Sequence, residues 1–182
     1  MSDINLKTIV SQEHRMLIDG ELCDAADAAM VDTINPANGQ VIKQFPDASG
    51  EDLDRAVRSA QSAQPEWASR TLGDRQRCLG EVAAILRQYS AELGALDSLE
   101  NGNVYSHMRH DAEGGAFMAD YFCGIANELK GESTQVDNSL HYTRLEPYGV
   151  VAKLLPFNHP IQSLGSGIAA PLLTGNTVIL KP

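Results

Sequence analysis

Asn158 and His159 are two polar residues placed directly after an apolar run, GVVAKLLPF, and directly before Pro160. A second apolar run, TVILK, ends on Lys181. Each of the three side chains suits a different task. An amide is a neutral donor that can stabilise an oxygen as it becomes negative, an imidazole can donate or accept, and an ammonium offers three donors and a charge. They can serve one ligand only if the elements that carry them bring them to one place.

The carrying elements read as a compact unit: strand GVVAKLLP, helix IQSLGSGIAAPLLT, turn Gly175-Asn176 and strand TVILK. Both strands are apolar enough to be covered on two faces, as in a parallel sheet, so the unit is a βαβ crossover. Parallel neighbouring strands put Asn158 and Lys181 on the same carboxyl edge, where ligands of open α/β sheets gather. Each residue also has a simpler local explanation. Asn158 suits the cap of the following helix, with Pro160 in its first turn. Lys181 suits a solvated strand end, and His159 an exposed or hydrogen-bonded loop position. Pro171 predicts a shortened or kinked helix. The run Gly165-Ser-Gly167-Ile-Ala-Ala170 matches a dinucleotide fingerprint in letters only. Its glycines fall inside the helix, not in the turn after the strand, so close helix packing explains them better.

Upstream, MLIDGELCDA predicts a hairpin about Asp19-Gly20, and INPANGQVI a turn followed by a strand. Ser49 with Asp52 is a capping-box pattern, after which Leu53, Ala56, Val57 and Ala60 form an apolar stripe. That helix is expected to end at Pro65. Thr71 with Asp74 starts a second helix with Leu79, Val82, Ile85, Leu86 and Tyr89 on one side. Leu93, Leu96 and Leu99 mark a third, stopped by Gly102. A fourth is expected from about Ser106 to Leu129, with Phe117, Tyr121, Phe122 and Ile125 buried and Gly131 as its end. HYTRLEPYG reads as an exposed strand. No repeat, low-complexity tract or long linker interrupts the chain.

Composition narrows the function classes. With 182 residues and 43% hydrophobic content the chain can bury a core. A formal net charge of -10, with 14 Lys and Arg scattered, argues against nucleic-acid or anionic-membrane binding. No apolar run approaches a transmembrane helix, and the start lacks a signal-peptide pattern, so a cytoplasmic location is expected. Cys23, Cys78 and Cys123 have neither disulfide-framework nor zinc spacing and read as reduced, structural thiols. TVILKP reads as a buried strand with nothing after it to cover its faces, so an amino-terminal piece of a longer protein is expected.

From Arg144 onward, RLEPYGVVAKLLPFNHPIQSLGSGIAAPLLTGNTVILKP resembles the NAD(P)-dependent aldehyde dehydrogenase superfamily. The shared pattern is an EP-GVV strand, a P-[WF]-N-x-P loop, an AP-L--GN turn and a strand ending in KP. LIDGELCDA, INPANGQVI, SLENG and ADYFCGIANELKGE agree as well. The resemblance implies an α/β fold with amino-terminal helices plus the first βαβ unit of a Rossmann-like parallel sheet. Residues 1–138 would be the hairpin and helical part of the cofactor domain, 139–147 part of an oligomerisation arm, and 148–182 the truncated first βαβ. The catalytic domain would lie beyond.

Roles follow from the same resemblance. Asn158 matches the oxyanion-hole asparagine. Leu154, Leu155, Pro156 and Phe157 match the segment along which NAD or NADP lies, Phe157 replacing the commoner tryptophan. Lys181 matches the lysine that hydrogen-bonds the adenosine ribose. Gly114, His159, Gln162, Ser163 and Ser166 match positions lining the aldehyde tunnel, and their small or polar character suggests a bulky, aromatic or polar aldehyde. The nucleophilic cysteine and glutamate base would lie beyond residue 182. The complete enzyme would oxidise an aldehyde to a carboxylic acid through a cysteine thioester, as a homodimer or homotetramer, and residues 1–182 alone would be inactive. The rival readings are a Rossmann-type nucleotide-binding module without aldehyde chemistry and a non-catalytic helical interaction protein.

Overall fold

The computed structural model describes residues 10–182. Two antiparallel ribbons come first: β1 (Met16–Ile18) with β2 (Glu21–Cys23), then β3 (Met30–Ile34) with β4 (Val41–Pro46). The first turns at Asp19 and Gly20, whose φ values of 57° and 77° are those of the tight turn expected there.

Four helices follow: α1 (Gly50–Ser69), α2 (Leu72–Gln88), α3 (Ser90–Asn101) and α4 (Tyr105–Ile125). Ser49 and Asp52 form the reciprocal capping box at the start of α1, and Thr71 caps α2. Gly102 ends α3 with a φ of 78°, a left-handed position that glycine adopts without steric cost.

Several sequence expectations are corrected. Pro65 does not end α1, which runs on to Ser69. Tertiary bonds on both sides of the proline hold the helix: the Gln64 amide donates to the Gly175 carbonyl at 3.1 Å and the Trp67 indole to the Leu172 carbonyl at 2.9 Å. α4 stops at Ile125 and a 3-10 turn, Ala126–Glu128, follows before Gly131. Its buried face is also different. Met108, Asp111, Ala112, Gly115, Ala116 and Ala119 are buried, while Phe117 is 63% exposed and Tyr121 and Ile125 also face outward. Only small residues let two helix backbones approach closely, so the small stripe goes inward and the large one is displaced. On α2, Ile85 and Tyr89 are likewise exposed, leaving Leu79, Ala83 and Leu86 buried.

The exposed strand read in HYTRLEPYG is shorter than expected. β5 (Ser133–Val136) and β6 (Ser139–Tyr142) form an exposed antiparallel ribbon, and 143–149 contains no strand. The βαβ unit is present as β7 (Val150–Leu154), α5 (Pro160–Leu173) and β8 (Thr177–Lys181), with β7 and β8 parallel. Pro171 lies inside α5, two residues before its end. β8 is half-buried over Thr177, Val178 and Ile179 and exposed from Leu180 onward.

The core joins the helices to the βαβ unit. Leu79, Ala83 and Leu86 of α2, Ala116 and Ala119 of α4, and Ile168, Ala169 and Leu173 of α5 form one buried cluster. A Cβ added at Gly165 would sit 2.5 Å from the Gly115 carbonyl, so α4 and α5 touch backbone to backbone. This is the close helix packing expected at Gly165, whereas Gly167 faces the Lys153 side chain of β7 instead of a helix. Asn176, buried in the turn before β8, accepts from the Gly149 N–H at 3.0 Å and donates to the Pro171 carbonyl at 3.1 Å. It thereby ties the end of the crossover to the start of β7.

Candidate functional site

The register pairs Leu154 with Lys181, and the Leu155 N–H donates to the Lys181 carbonyl at 2.8 Å. The two strand ends therefore lie side by side at one carboxyl edge, as the crossover geometry requires. Beyond that edge the chain emerges to solvent. Leu154 is 72% exposed, Phe157 is 87% exposed, and Pro156 and Asn158 are exposed too. Leu154 and Phe157 thus leave an apolar strand end and loop turned outward to water. The Lys181 ammonium is exposed and donates to the Pro182 carbonyl.

Asn158 is held by its backbone and left free at its side chain. Its carbonyl accepts from the Asn103 amide at 2.9 Å and from the Asn101 amide at 3.4 Å. The capping expectation is corrected: His159, not Asn158, is the N-cap residue of α5, and no side chain caps that end. Among the described residues nothing bonds the Asn158 amide, so its donors remain available to a ligand.

His159 turns toward the helices. Its Nδ1 lies 2.6 Å from Oδ2 of Asp111, a carboxylate only 8% exposed on α4. Two residues further, the Ile161 N–H donates to Asp97 of α3 at 3.4 Å. Burial pushes the Asp97 carboxyl up to about 6; the Ile161 N–H pulls it down, and the nearby Asp111 raises it again. Burial, then the Asp97 charge, also raises Glu100. Four ionisable groups thus gather behind the loop.

The tunnel candidates occupy α4 and α5. Gly114 and Gln162 are neighbours, the Gln162 amide nitrogen lying 3.2 Å from where a Gly114 Cβ would be. Ser163 and Ser166 follow one another along α5, with the Ser166 hydroxyl donating to the Ser163 carbonyl at 3.4 Å. The three thiols sit elsewhere: Cys23 in β2, Cys78 in α2 and Cys123 in α4. Burial, then the Asp120 charge, raises the Cys123 thiol further above its usual range, the opposite of an activated nucleophile. No group of His, Cys, Asp and Glu suited to a metal ion occurs among the described residues.

Sequence reasoning missed Asn103, Asp97 and Asp111. A signal was present for the last. Met108, Asp111, Ala112, Gly115 and Ala119 follow one helical stripe in which the carboxylate stands among small and apolar residues. A charge at a core-facing position needs a partner.

The aldehyde dehydrogenase family model matches residues 23–182. The chain belongs to that family. It is 39% identical over 173 residues to aldehyde dehydrogenase tropH of Talaromyces stipitatus, which is 93% of this chain and 34% of that protein. The NAD+ complex of a Bacillus cereus aldehyde dehydrogenase superposes with a TM-score of 0.92 at 31% identity, over 97% of this chain and 37% of that one. PnpE in complex with nicotinamide adenine dinucleotide gives a TM-score of 0.89 at 32% identity, over 94% and 36% of the two chains. The chain therefore spans about a third of the length of these relatives. The α/β aldehyde dehydrogenase fold expected from the sequence is the fold found, and no helix among the described residues is long and apolar enough to cross a membrane.

Proposed function

We propose that this chain forms the oxyanion-binding and cofactor-supporting part of an enzyme that oxidises an aldehyde to a carboxylic acid with NAD or NADP. The observation that carries the reading is the Asn158 amide: unbonded, exposed, and fixed by its own carbonyl at the carboxyl edge of a parallel strand pair. A fixed neutral donor stabilises charge developing on a carbonyl oxygen, because it costs no reorganisation when the charge appears.

The residues present fit a dinucleotide. Leu154, Pro156 and Phe157, exposed, and Leu155, half-buried, offer an apolar track, and Lys181 a cation at the neighbouring strand end. They would hold NAD or NADP, Lys181 hydrogen-bonding a ribose, and the bound nicotinamide supplies a hydride acceptor. A cysteine outside this chain supplies the nucleophile, and the 182 residues alone have no dehydrogenase activity. Residues 139–147, which hold the exposed strand β6 and the segment to Pro147, belong to an assembly arm of a homodimer or homotetramer. Gly114, His159, Gln162, Ser163 and Ser166 line a roomy entrance suited to a bulky, aromatic or polar aldehyde. A substrate screen in which acetaldehyde had the highest kcat/KM would refute that specificity.

The deciding experiment is Asn158→Ala in the enzyme that carries this chain together with its nucleophile. Loss of one oxyanion donor costs about 100- to 1000-fold in kcat. A turnover rate near normal refutes the assignment. The alternatives, a nucleotide-binding module without aldehyde chemistry or an interaction protein, predict no turnover by the unsubstituted enzyme.

A further inference from the structure

The loop from Asn158 to Ile161 is fastened at three successive points by side chains from the helical part of the chain. At Asn158 the carbonyl accepts from the Asn103 amide, whose own residue is held because the Ser98 hydroxyl donates to the Asn103 carbonyl at 2.6 Å. At His159 the imidazole Nδ1 contacts Asp111 at 2.6 Å. At Ile161 the N–H donates to Asp97 at 3.4 Å. The fastenings bracket Asn158 without touching its amide.

We propose that Asn103 and Asp111, the latter through His159, are positioning residues that fix the direction of the Asn158 amide. The inference rests on the oxyanion reading of Asn158 and adds to it the residues that aim the donor. The five residues from Leu155 to His159 join a strand to a helix without regular structure of their own, and apart from Pro156 their types leave φ and ψ free to vary. His159 is the N-cap of α5 at φ -141° and ψ 64°, outside the helical region, and no side-chain cap fixes it. What holds it is Asp111, itself immobile because α4 packs backbone to backbone on α5 at Gly115 and Gly165. The aim of the amide is therefore set by helix packing, not by the loop.

The chemistry explains why each partner has its type. Asn103 presents an N–H donor to a carbonyl that would otherwise be free to rotate toward solvent. Asp111 presents an acceptor to a ring nitrogen, and an asparagine there keeps one acceptor oxygen while an alanine keeps none. Asp97 on α3 is the other titratable group facing this loop, with Glu100 beside it. Misplacing a catalytic donor by about 1 Å costs up to about 100-fold in rate, whereas affinity for the nucleotide, set by the cofactor track, is untouched.

The test is a set of double-substitution cycles in the complete enzyme, reading kcat and the KM for the nucleotide separately. Asp111→Ala and Asn103→Ala are each expected to lower kcat about tenfold with KM within about twofold, and Asp111→Asn to recover most of the loss. In an Asn158→Ala background the same changes should alter kcat by less than about twofold, because there is no donor left to aim. Equal factors in both backgrounds, or a KM effect in place of a kcat effect, overturn the positioning role while leaving the oxyanion reading intact. A normal kcat for Asn158→Ala overturns both. Should Asp111→Ala fail to fold, the half-buried Asn103→Ala and the conservative Asp111→Asn carry the same comparison.

Discussion

Replacing Asp97 by asparagine should make the protein more stable at neutral pH, although it removes a buried side chain's charge and a helix-terminal contact. Asp97 is 5% exposed, and burial raises its carboxyl from 3.8 to about 6. That rise corresponds to a penalty of roughly 3 kcal/mol on the ionised folded state. Asparagine is nearly isosteric and keeps an oxygen to accept from the Ile161 N–H. It brings a buried NH2 group that needs a partner of its own, at a cost of about 1 kcal/mol. The net gain is about 2 kcal/mol at pH 8, a rise of about 4–8 °C in Tm for a chain of this size. The sign of the pH dependence follows from the direction of the shift. Below 3.8 the carboxyl is neutral in both states and the penalty vanishes; between 3.8 and about 6 the unfolded state ionises first; above about 6 the penalty is complete. Thermal or urea unfolding of both proteins at pH 4.5 and pH 8 checks this. A gain equal at the two pH values, or a loss at pH 8, would refute the account of Asp97 as a strained buried charge.

The helix contact at Gly165 makes a second prediction. Gly165→Ala places a Cβ 2.5 Å from Gly115 backbone atoms, and neither helix can yield without disturbing the core, so unfolding experiments should show a loss of about 1–3 kcal/mol. Cys123, its thiol raised by burial and by Asp120, should react with a soluble alkylating reagent at pH 8 more slowly than free cysteine; faster labelling would show that α4 opens there.

What was legible in the sequence was local. The capping box at Ser49, the hairpin at Asp19-Gly20, the stop at Gly102 and the strand–helix–strand order from Val150 to Lys181 all depend on residues within a few positions of one another. The placement of the strand ends at Leu154 and Lys181 side by side also followed from the sequence, because a parallel crossover permits one arrangement of strand ends. Family membership was readable for a related reason: the loop motif combines strand end, amide and helix start in a few residues.

Direction was not legible. α4 carries two apolar stripes, one of large side chains and one of small, and size favours the wrong one: Phe117 faces outward while Ala116 is buried. Only the neighbouring helix decides, because backbone contact at Gly115 and Gly165 excludes bulk from the shared face. Pro65 continues a helix for the same reason, its flanking residues being held by α5 and the turn after it. The three fastenings of the Asn158 loop come from residues 48 to 64 positions away in sequence. The sequence by itself marked Asn158 as the residue proposed to face an oxyanion; the tertiary structure decided what holds its backbone in place, since a hydrogen bond between distant segments exists only once their helices have packed.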